Sequence, residues 1–432
     1  VERIILTGFL SLIFGGTLFI YFLNNIGNYE ISFIDALFTS TSAVCVTGLI
    51  VVDTATELSR ATQVVVMTLF QLGGLGVMTA VTAMMLLFRQ RVGVTERLLF
   101  AQGIGLDTIS GAIKLLLYVL RITLSFELIC AIPLFYVFSR QYPPADALFH
   151  SMFNSVSAFC NAGFSTFSDS LMGYSSTVIV PGIIMFLIVT GGLGFIPLVN
   201  LVGFFRRKEK IKHQTLMVIF ISTVLIIIGV ALVLLLEWSN TLADMSLFHR
   251  FWNSLFLSIT SRTAGFNTIS TMSLTSATAF IVCILMIIGA SPGSTGGGIK
   301  TTTFGLLLFS TLDYLRGNKR TILWHRTISP ENHIRATSVA VIYIGTIFLS
   351  VIILSVLEPF TFREIFFEVT SALGTVGLSM GITSKLSFEG KLLLIVLMFW
   401  GRIGVITLLY GIMSRKSAPS SIKYPEINIP LG

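Results

Sequence analysis

Long apolar runs alternate along this chain with short segments rich in serine and threonine. Runs of about 20 residues, enough to cross a bilayer core as helix, cover Arg3 to Leu23, Lys114 to Phe138, Gln214 to Trp238 and Arg335 to Leu357. Each leads into a short amphipathic segment that ends at a glycine and then into a second apolar run. Those second runs are Ala61 to Phe88, Thr177 to Phe205, Ala277 to Leu315, which is interrupted, and Lys391 to Ile412. The short segments close on CVTGL at Gly48, CNAGF at Gly163, RTAGF at Gly265 and GTVGL at Gly377. Aligned on those glycines without gaps, they place Phe38, Phe153, Leu255 and Phe367 ten residues upstream and Ala43, Ala158, Thr260 and Ala372 five upstream. One unit of helix, short segment and helix is used four times, and this repeat fixes the frame for every other motif. The repeats span 1–88, 114–205, 214–315 and 333–412, with 413–432 as a C-terminal tail.

Composition identifies the solvent. With 54% hydrophobic and 11% charged residues and a mean hydropathy of +0.90, the chain lies outside ordinary soluble domains and reads as an all-α polytopic membrane protein. Length and charge decide whether the short segments also cross. From Phe33 to Thr47 is 15 residues, roughly 22 Å of helix, short of a hydrocarbon core of roughly 30 Å. Of the 28 Lys and Arg, 18 lie at the termini and in three connections between units, Arg89 to Lys114, Arg206 to Lys212 and Arg316 to Arg335. Six flank the short segments: Arg60, Arg140, Arg250, Arg363, Lys385 and Lys391. Eight crossings put the basic connections and both termini on one face, which the positive-inside rule makes cytoplasmic; twelve would alternate them. The pattern therefore predicts eight transmembrane helices and four re-entrant loops around one pseudo-fourfold pore in the cell (inner or plasma) membrane. The outer face then carries 12 carboxylates, among them Asp35, Asp53, Asp169 and Glu364. They either attract cations or are the plain complement of a basic inner face that meets anionic lipid.

Re-entrant backbone survives at membrane depth only where protein buries it or where it lines an aqueous cavity, and four copies around one axis point to the cavity. A short helix entering from outside aims the partial negative charge of its last carbonyls at the axis and favours a cation there. The carbonyls of Cys45, Val46, Thr47 and Gly48, of Cys160, Asn161, Ala162 and Gly163, of Arg262, Thr263, Ala264 and Gly265, and of Gly374, Thr375, Val376 and Gly377 then form stacked rings that replace an ion's hydration shell. Carbonyls all turned one way demand backbone angles that a Cβ resists, hence glycine. A lone membrane glycine marks close helix packing; four in register after one pattern mark a selectivity filter.

A second motif group lies about 25 residues past each of these glycines: QLGGLG at Gln71 to Gly76, TGGLGF at Thr190 to Phe195 and WGRIG at Trp400 to Gly404. The third unit departs, reading GASPGSTGGGIKTTT from Gly289. Its residues Ala290, Ser291, Pro292, Gly293, Ser294, Thr295, Gly296, Gly297 and Gly298 cannot hold a regular helix. A phosphate loop would need Lys directly after the last glycine and a strand before it, whereas Ile299 separates Gly298 from Lys300. An unwound intramembrane segment able to act as a gate is the better reading. Lys300 and Arg402 are charges inside membrane runs, which carry function by default unless they pack against carbonyls or snorkel to the inner surface. The four cysteines, Cys45, Cys130, Cys160 and Cys283, have neither metal nor disulfide spacing. His150, His213, His249, His325 and His333 form no ligand pair. Without a nucleophile motif or a paired acid and base, no enzyme activity, cofactor or nucleic-acid partner is expected.

These motifs resemble the Trk/Ktr/HKT superfamily of potassium transporters over nearly the whole chain, in which four helix, pore-loop, helix repeats in one polypeptide surround one pathway. With its first run at the start of the chain, it is more similar to the KtrB membrane subunit of bacterial Ktr systems than to the longer TrkH. The resemblance implies potassium uptake through a channel-like pore, since glycine at all four filter positions goes with potassium selectivity and serine at the first with sodium transport. It also implies an intramembrane loop that blocks the path below the filter, with Arg402 in the pore beside it. From it follow, too, a homodimer, a cytoplasmic ring of nucleotide-binding RCK-domain (KtrA-like) subunits, and the tail Tyr424 to Gly432 in the dimer interface, with the role of sodium in activation left open. Arg402 is expected to form an electrostatic barrier and to bond the loop's carbonyls when the path is closed. Asn161 and Arg262 depart from a regular filter string and imply looser selectivity, with Arg262 turned toward Glu127 or Glu368. Two other classes remain. A secondary cation transporter coupled to sodium or proton calls for inverted repeats and an intramembrane acid, for which Glu127 is the evident candidate; a membrane enzyme lacks reacting residues.

Overall fold

A computed structural model describes residues 2–27, 29–76, 112–207, 210–318, 320–324 and 326–404. Outside them lie the end of the first unit's second run (77–88), most of the first basic connection, His325, the last part of the final run (405–412) and the tail 413–432.

Serine and threonine start the helices. Ser32, Ser246 and Thr361 cap the short ones, each hydroxyl accepting from the amide three residues on, and Ser59, Thr275 and Ser387 cap the second helices in the same way. Each cap satisfies an amide that the helix itself cannot. At Thr361 the bond is reciprocal, with Glu364 reaching back as a capping box. The first unit is α1 (Glu2–Ile26), α2 (Phe33–Val44) and α3 (Arg60–Leu75). The second is α4 (Ala112–Phe138), α5 (Pro144–Cys160), α6 (Ile179–Gly192) and α7 (Phe195–Arg207). The third is α8 (His213–Glu237), α9 (Leu247–Thr260), α10 (Ser276–Ile287) and α11 (Thr301–Leu315). The fourth is α12 (Pro330–Leu357), α13 (Phe362–Gly374) and α14 (Phe388–Ile403). Between α11 and α12 the connection forms a small hairpin, β1 (Ile322–Leu323) with antiparallel β2 (Arg326–Thr327), which hydrophobic periodicity does not announce.

Among the described residues four helical stretches are long and apolar enough to cross a membrane: 6–26, 117–138, 213–237 and 330–357. They are the leading helices of the four units. Their outer faces expose Phe14, Phe19, Ile129, Ile132, Ile227 and Val356, as expected of helices whose solvent is lipid, and the chain is a polytopic membrane protein.

The second helices correct the sequence reading. Only the third was expected to break, yet α6 and α7 are bent by 105° at Gly194, whose φ is +92°. Helices α3 and α14 end at the matching glycines, Gly76 and Gly404, with φ of +84° and +91°. Pro197, in the first turn of α7, cannot bond the Leu193 carbonyl four residues back and so helps to force the bend. The amide of Phe195 is taken instead by the carbonyl of Gly293 at 2.8 Å, so the broken segment of the third unit props open the second.

Candidate functional site

The glycines that close the four short helices meet in a ring. A Cβ built on Gly48 would fall 2.5 Å from the carbonyl oxygen of Ala162 and 2.9 Å from Cα of Gly163. One on Gly163 would fall 2.7 Å from the Ala264 oxygen and 3.3 Å from Cα of Gly265. Gly265 meets Val376 and Gly377 in the same way, and Gly377 meets Thr47 and Gly48. Each glycine thus touches the strand of the next unit, and the cycle closes in chain order. All four have positive φ, from +71° to +91°, and no larger residue fits.

Three of the four strands reach the ring by one backbone device. In the first, second and fourth units the amides of Thr47, Ala162 and Val376 bond back five residues to Ser42, Ser157 and Ser371, and those of Val46, Asn161 and Thr375 bond back three. This paired closure is a Schellman motif, which needs a left-handed residue at its turn. Val46, Asn161 and Thr375 occupy that turn at φ of +57°, +58° and +50°. For the β-branched Val46 and Thr375 this is a true outlier, strain of about 1–3 kcal/mol of the kind that collects at functional sites.

The third unit is one residue shorter. The amide of Ala264 bonds back four residues, to Thr260, and no residue there turns left-handed before Gly265. Hydroxyls show the same slip. Ser42 and Ser157 hold the carbonyls of Leu49 and Phe164 at 2.7 Å from six residues before the glycine, whereas in the third unit Thr260, five before, holds Phe266 at 2.7 Å. The buried aromatic behind the strand is Phe38, Phe153 and Phe367 elsewhere and Phe256 here, while Leu255 is half-buried. The ungapped alignment that matched Leu255 and Thr260 to the other units is therefore out of register by one, and Arg262 lies in the turn directly after the short helix.

On one side of the ring opens a cavity of about 500 Å³, lined beyond the glycines by Asp53, Asp169, Ser165, Asn267, Thr271 and Ser379. On the other side lies the broken segment 288–300. It leaves α10, with the amide of Ala290 bonded to the Gly297 carbonyl at 3.1 Å, and packs Gly296 on Thr263 and Gly297 on Thr375. The Thr295 hydroxyl accepts from Asn161 Nδ2 at 2.6 Å, and the amides of Ser291 and Thr295 bond the carbonyls of Gly192 and Gly191 at 3.2 and 3.4 Å. Thr47 and Thr375 carry buried hydroxyls without a hydrogen-bond partner among the described residues.

Three cations hold this segment, all through backbone carbonyls. Arg402 donates to the carbonyls of Thr295 and Gly73, joining the fourth unit to the segment and to the end of α3. Lys300 donates to Gly296 at 2.7 Å. Arg262 does not turn to Glu127 or Glu368, as expected from sequence; it donates to the Gly289 carbonyl at 3.1 Å and to Ser222 Oγ at 3.4 Å. Both carboxylates are engaged elsewhere: Glu127 accepts from Gln71 at 3.2 Å, and Glu368 from Ser379, Thr383 and the amide of Met380 at 2.5, 2.9 and 3.0 Å.

The second motif group also has a geometric reason. Gly73, Gly191 and Gly401 each press on a carbonyl near the end of their own unit's short helix, at Val44, Phe159 and Leu373. A side chain at any of them would push the strand out of the ring. Sequence reasoning missed the hydroxyls of Ser42, Ser157, Thr260 and Ser371, although three of them recur at one spacing. It missed also the bond from Asn161 to Thr295, for which no sequence signal exists. Around the ring the units are clasped by Arg60 to Asp146 at 2.5 Å and Lys391 to Asp35 at 2.6 Å. The four cysteines are free and buried.

Comparison with known proteins places the chain in a family. The family described as TrkH, "Cation transport protein", matches residues 9–421. The Ktr system potassium uptake protein B of Bacillus subtilis is 39% identical over 420 residues, covering 97% of this chain and 93% of that one. The potassium/sodium uptake protein NtpJ of Enterococcus hirae is 36% identical over 437 residues, covering 100% of this chain and 97% of that one. In fold, the chain matches the crystal structure of the potassium transporter TrkH from Vibrio parahaemolyticus with a TM-score of 0.75 at 22% identity, over 95% of this chain and 84% of that one. Matched over nearly its whole length, the chain belongs to the TrkH family of cation transport proteins.

Proposed function

We propose that this chain takes up potassium across the cell membrane through a channel-like pathway running from the open cavity, through the glycine ring, to the segment 288–300. The closed cycle of contacts among Gly48, Gly163, Gly265 and Gly377 carries the reading. Four strands brought together in this way offer rings of backbone carbonyl oxygens able to stand in for hydration water. The buried hydroxyls of Thr47 and Thr375 add oxygens of the same kind. The segment 290–298 is the gate. It underlies the strands of the second, third and fourth units and carries Lys300 and Arg402 on its carbonyls, with Arg262 on the carbonyl of Gly289 just before it, a concentration of positive charge that opposes a cation as long as it stays in place.

The four units are eight crossings with four re-entrant pore helices, both termini are cytoplasmic, and the basic connections face the cytoplasm. As in the Ktr systems that the sequence resembles, the chain works as a homodimer under a cytoplasmic ring of nucleotide-binding RCK-domain subunits. The names of its relatives support potassium as cargo, and one of them adds sodium. The test is substitution in the ring: Gly48→Ser should raise sodium flux relative to potassium, and an unchanged ratio would remove Gly48 from the filter. A secondary transporter coupled to sodium or proton finds its best support in Glu127, whose Oε1 is buried without a partner among the described residues. That carboxylate lies on α4, behind the ring, held by Gln71.

A further inference from the structure

We infer that the side chain of Asn161 is a latch that couples ion occupancy of the glycine ring to the gate. The inference rests on the channel reading above. Asn161 is two residues before Gly163 and fully buried, held in the left-handed turn that sets the path of its strand, at φ +58° and ψ +40°. Its amide group is fully engaged, with Nδ2 also reaching back to the carbonyl of Phe159 in its own unit at 3.4 Å. Nδ2 donates to the Thr295 hydroxyl at 2.6 Å, and Oδ1 accepts from Thr263 Oγ1 of the third unit at 3.1 Å. The Thr295 hydroxyl in turn lies 3.3 Å from the carbonyl of Phe159. Of the residues in the left-handed turns, Asn161 alone bonds the gate; Val46 has no polar group and the Thr375 hydroxyl has no partner among the described residues.

One residue therefore shares a backbone with the ring and a side-chain bond with the tip of the gate. Moving the carbonyls of Asn161 and Ala162 to accommodate or release an ion rotates the turn and displaces Nδ2. The bond to Thr295 tolerates little displacement, because hydrogen bonds weaken steeply away from linear geometry. Coupling of this kind is reciprocal: whatever potassium does to the gate, opening the gate does to potassium affinity. Asn161 acts here as a positioning residue for Thr295, apart from any role of its backbone carbonyl as an ion ligand.

The test places a reporter on the loop. In the full chain in liposomes, Ser294→Cys, half-buried beside Thr295, is labelled by a membrane-permeant thiol reagent in potassium and in choline. With Asn161 present the labelling rate should differ between the two ions several-fold; with Asn161→Ala or Thr295→Val the difference should vanish. Asn161→Ala should raise basal potassium flux about 2- to 12-fold, the worth of one neutral hydrogen bond; Thr295→Val, which also loses the bond to Phe159, should raise it at least as much, and the double variant no further than Thr295→Val. Thr295→Ser, which keeps the hydroxyl, should rise less than Thr295→Val. Labelling that ignores the ion with Asn161 present, or responds to it equally in Asn161→Ala, would overturn the latch, as would additive single effects. Thermal unfolding of each variant separates these outcomes from misfolding. If shortening the loop leaves potassium flux unchanged, the gate reading itself falls and the latch with it; if shortening raises flux while labelling stays blind to the ion, the latch alone falls.

Discussion

Replacing Arg402 by alanine should release the gate. In the structure one guanidinium bridges the carbonyl of Thr295, at the loop tip, and that of Gly73, at the end of α3. Opening the loop breaks the first of these and leaves the second. A hydrogen bond to a charged group contributes about 1.5–3 kcal/mol, so losing it shifts the balance between closed and open by about 10- to 150-fold at room temperature. Removing the charge beneath the ring lowers the barrier to a cation further. Basal potassium flux through Arg402→Ala should therefore rise at least about 10-fold, until the open state saturates. Arg402→Lys separates geometry from charge: an ammonium keeps the charge but cannot span both carbonyls as a planar fork does, so its flux should fall between wild type and alanine. The assay is rubidium or potassium uptake into liposomes at matched protein content, with the incorporated fraction checked for folding. Wild-type flux in a folded Arg402→Ala protein would refute the clamp, and equal flux in the lysine and alanine variants would refute the role of charge.

Other consequences are as direct. Gly48→Ser adds a Cβ that would fall 2.5 Å from the Ala162 carbonyl oxygen; the widened ring should admit more sodium, read as the ratio of sodium to potassium uptake. Deleting two residues from Gly293 to Gly298 should raise basal flux, and a dead or unaltered transporter would count against gating. The register of the third unit can be tested by stability alone. Phe256→Ala empties a fully buried site and should cost about 3–5 kcal/mol, whereas Leu255→Ala, half-buried, should cost less than about 2 kcal/mol, both measured by denaturant unfolding in detergent. The reverse order would restore the ungapped alignment.

Much of this site is legible in the sequence, and what is not has physical causes. The glycines at the turns and the unwound stretch after Gly289 follow from local chemistry that a sequence displays. The one-residue slip in the third unit is hidden because Leu255 and Phe256 are both apolar and Thr260 suits either register; only the backbone bond from Ala264 to Thr260 decides it. The bend after α6 is missed although TGGLGFIP carries its signal in Pro197; what no sequence shows is the acceptor 98 residues away, Gly293, that takes the amide of Phe195. Arg262 misled for the opposite reason. A buried arginine suggests a carboxylate partner, but here the acceptors are a backbone carbonyl and a hydroxyl, and backbone carbonyls leave no mark in a sequence.

The central claim, a passive potassium pathway through the glycine ring, is tested most directly by cation flux into liposomes containing this chain alone, comparing potassium, rubidium, sodium and lithium under an imposed voltage. Uptake that favours potassium and rubidium and is driven by voltage alone is the predicted result. Uptake that appears only when a sodium or proton gradient is supplied would contradict it and would make Glu127 the first residue to examine.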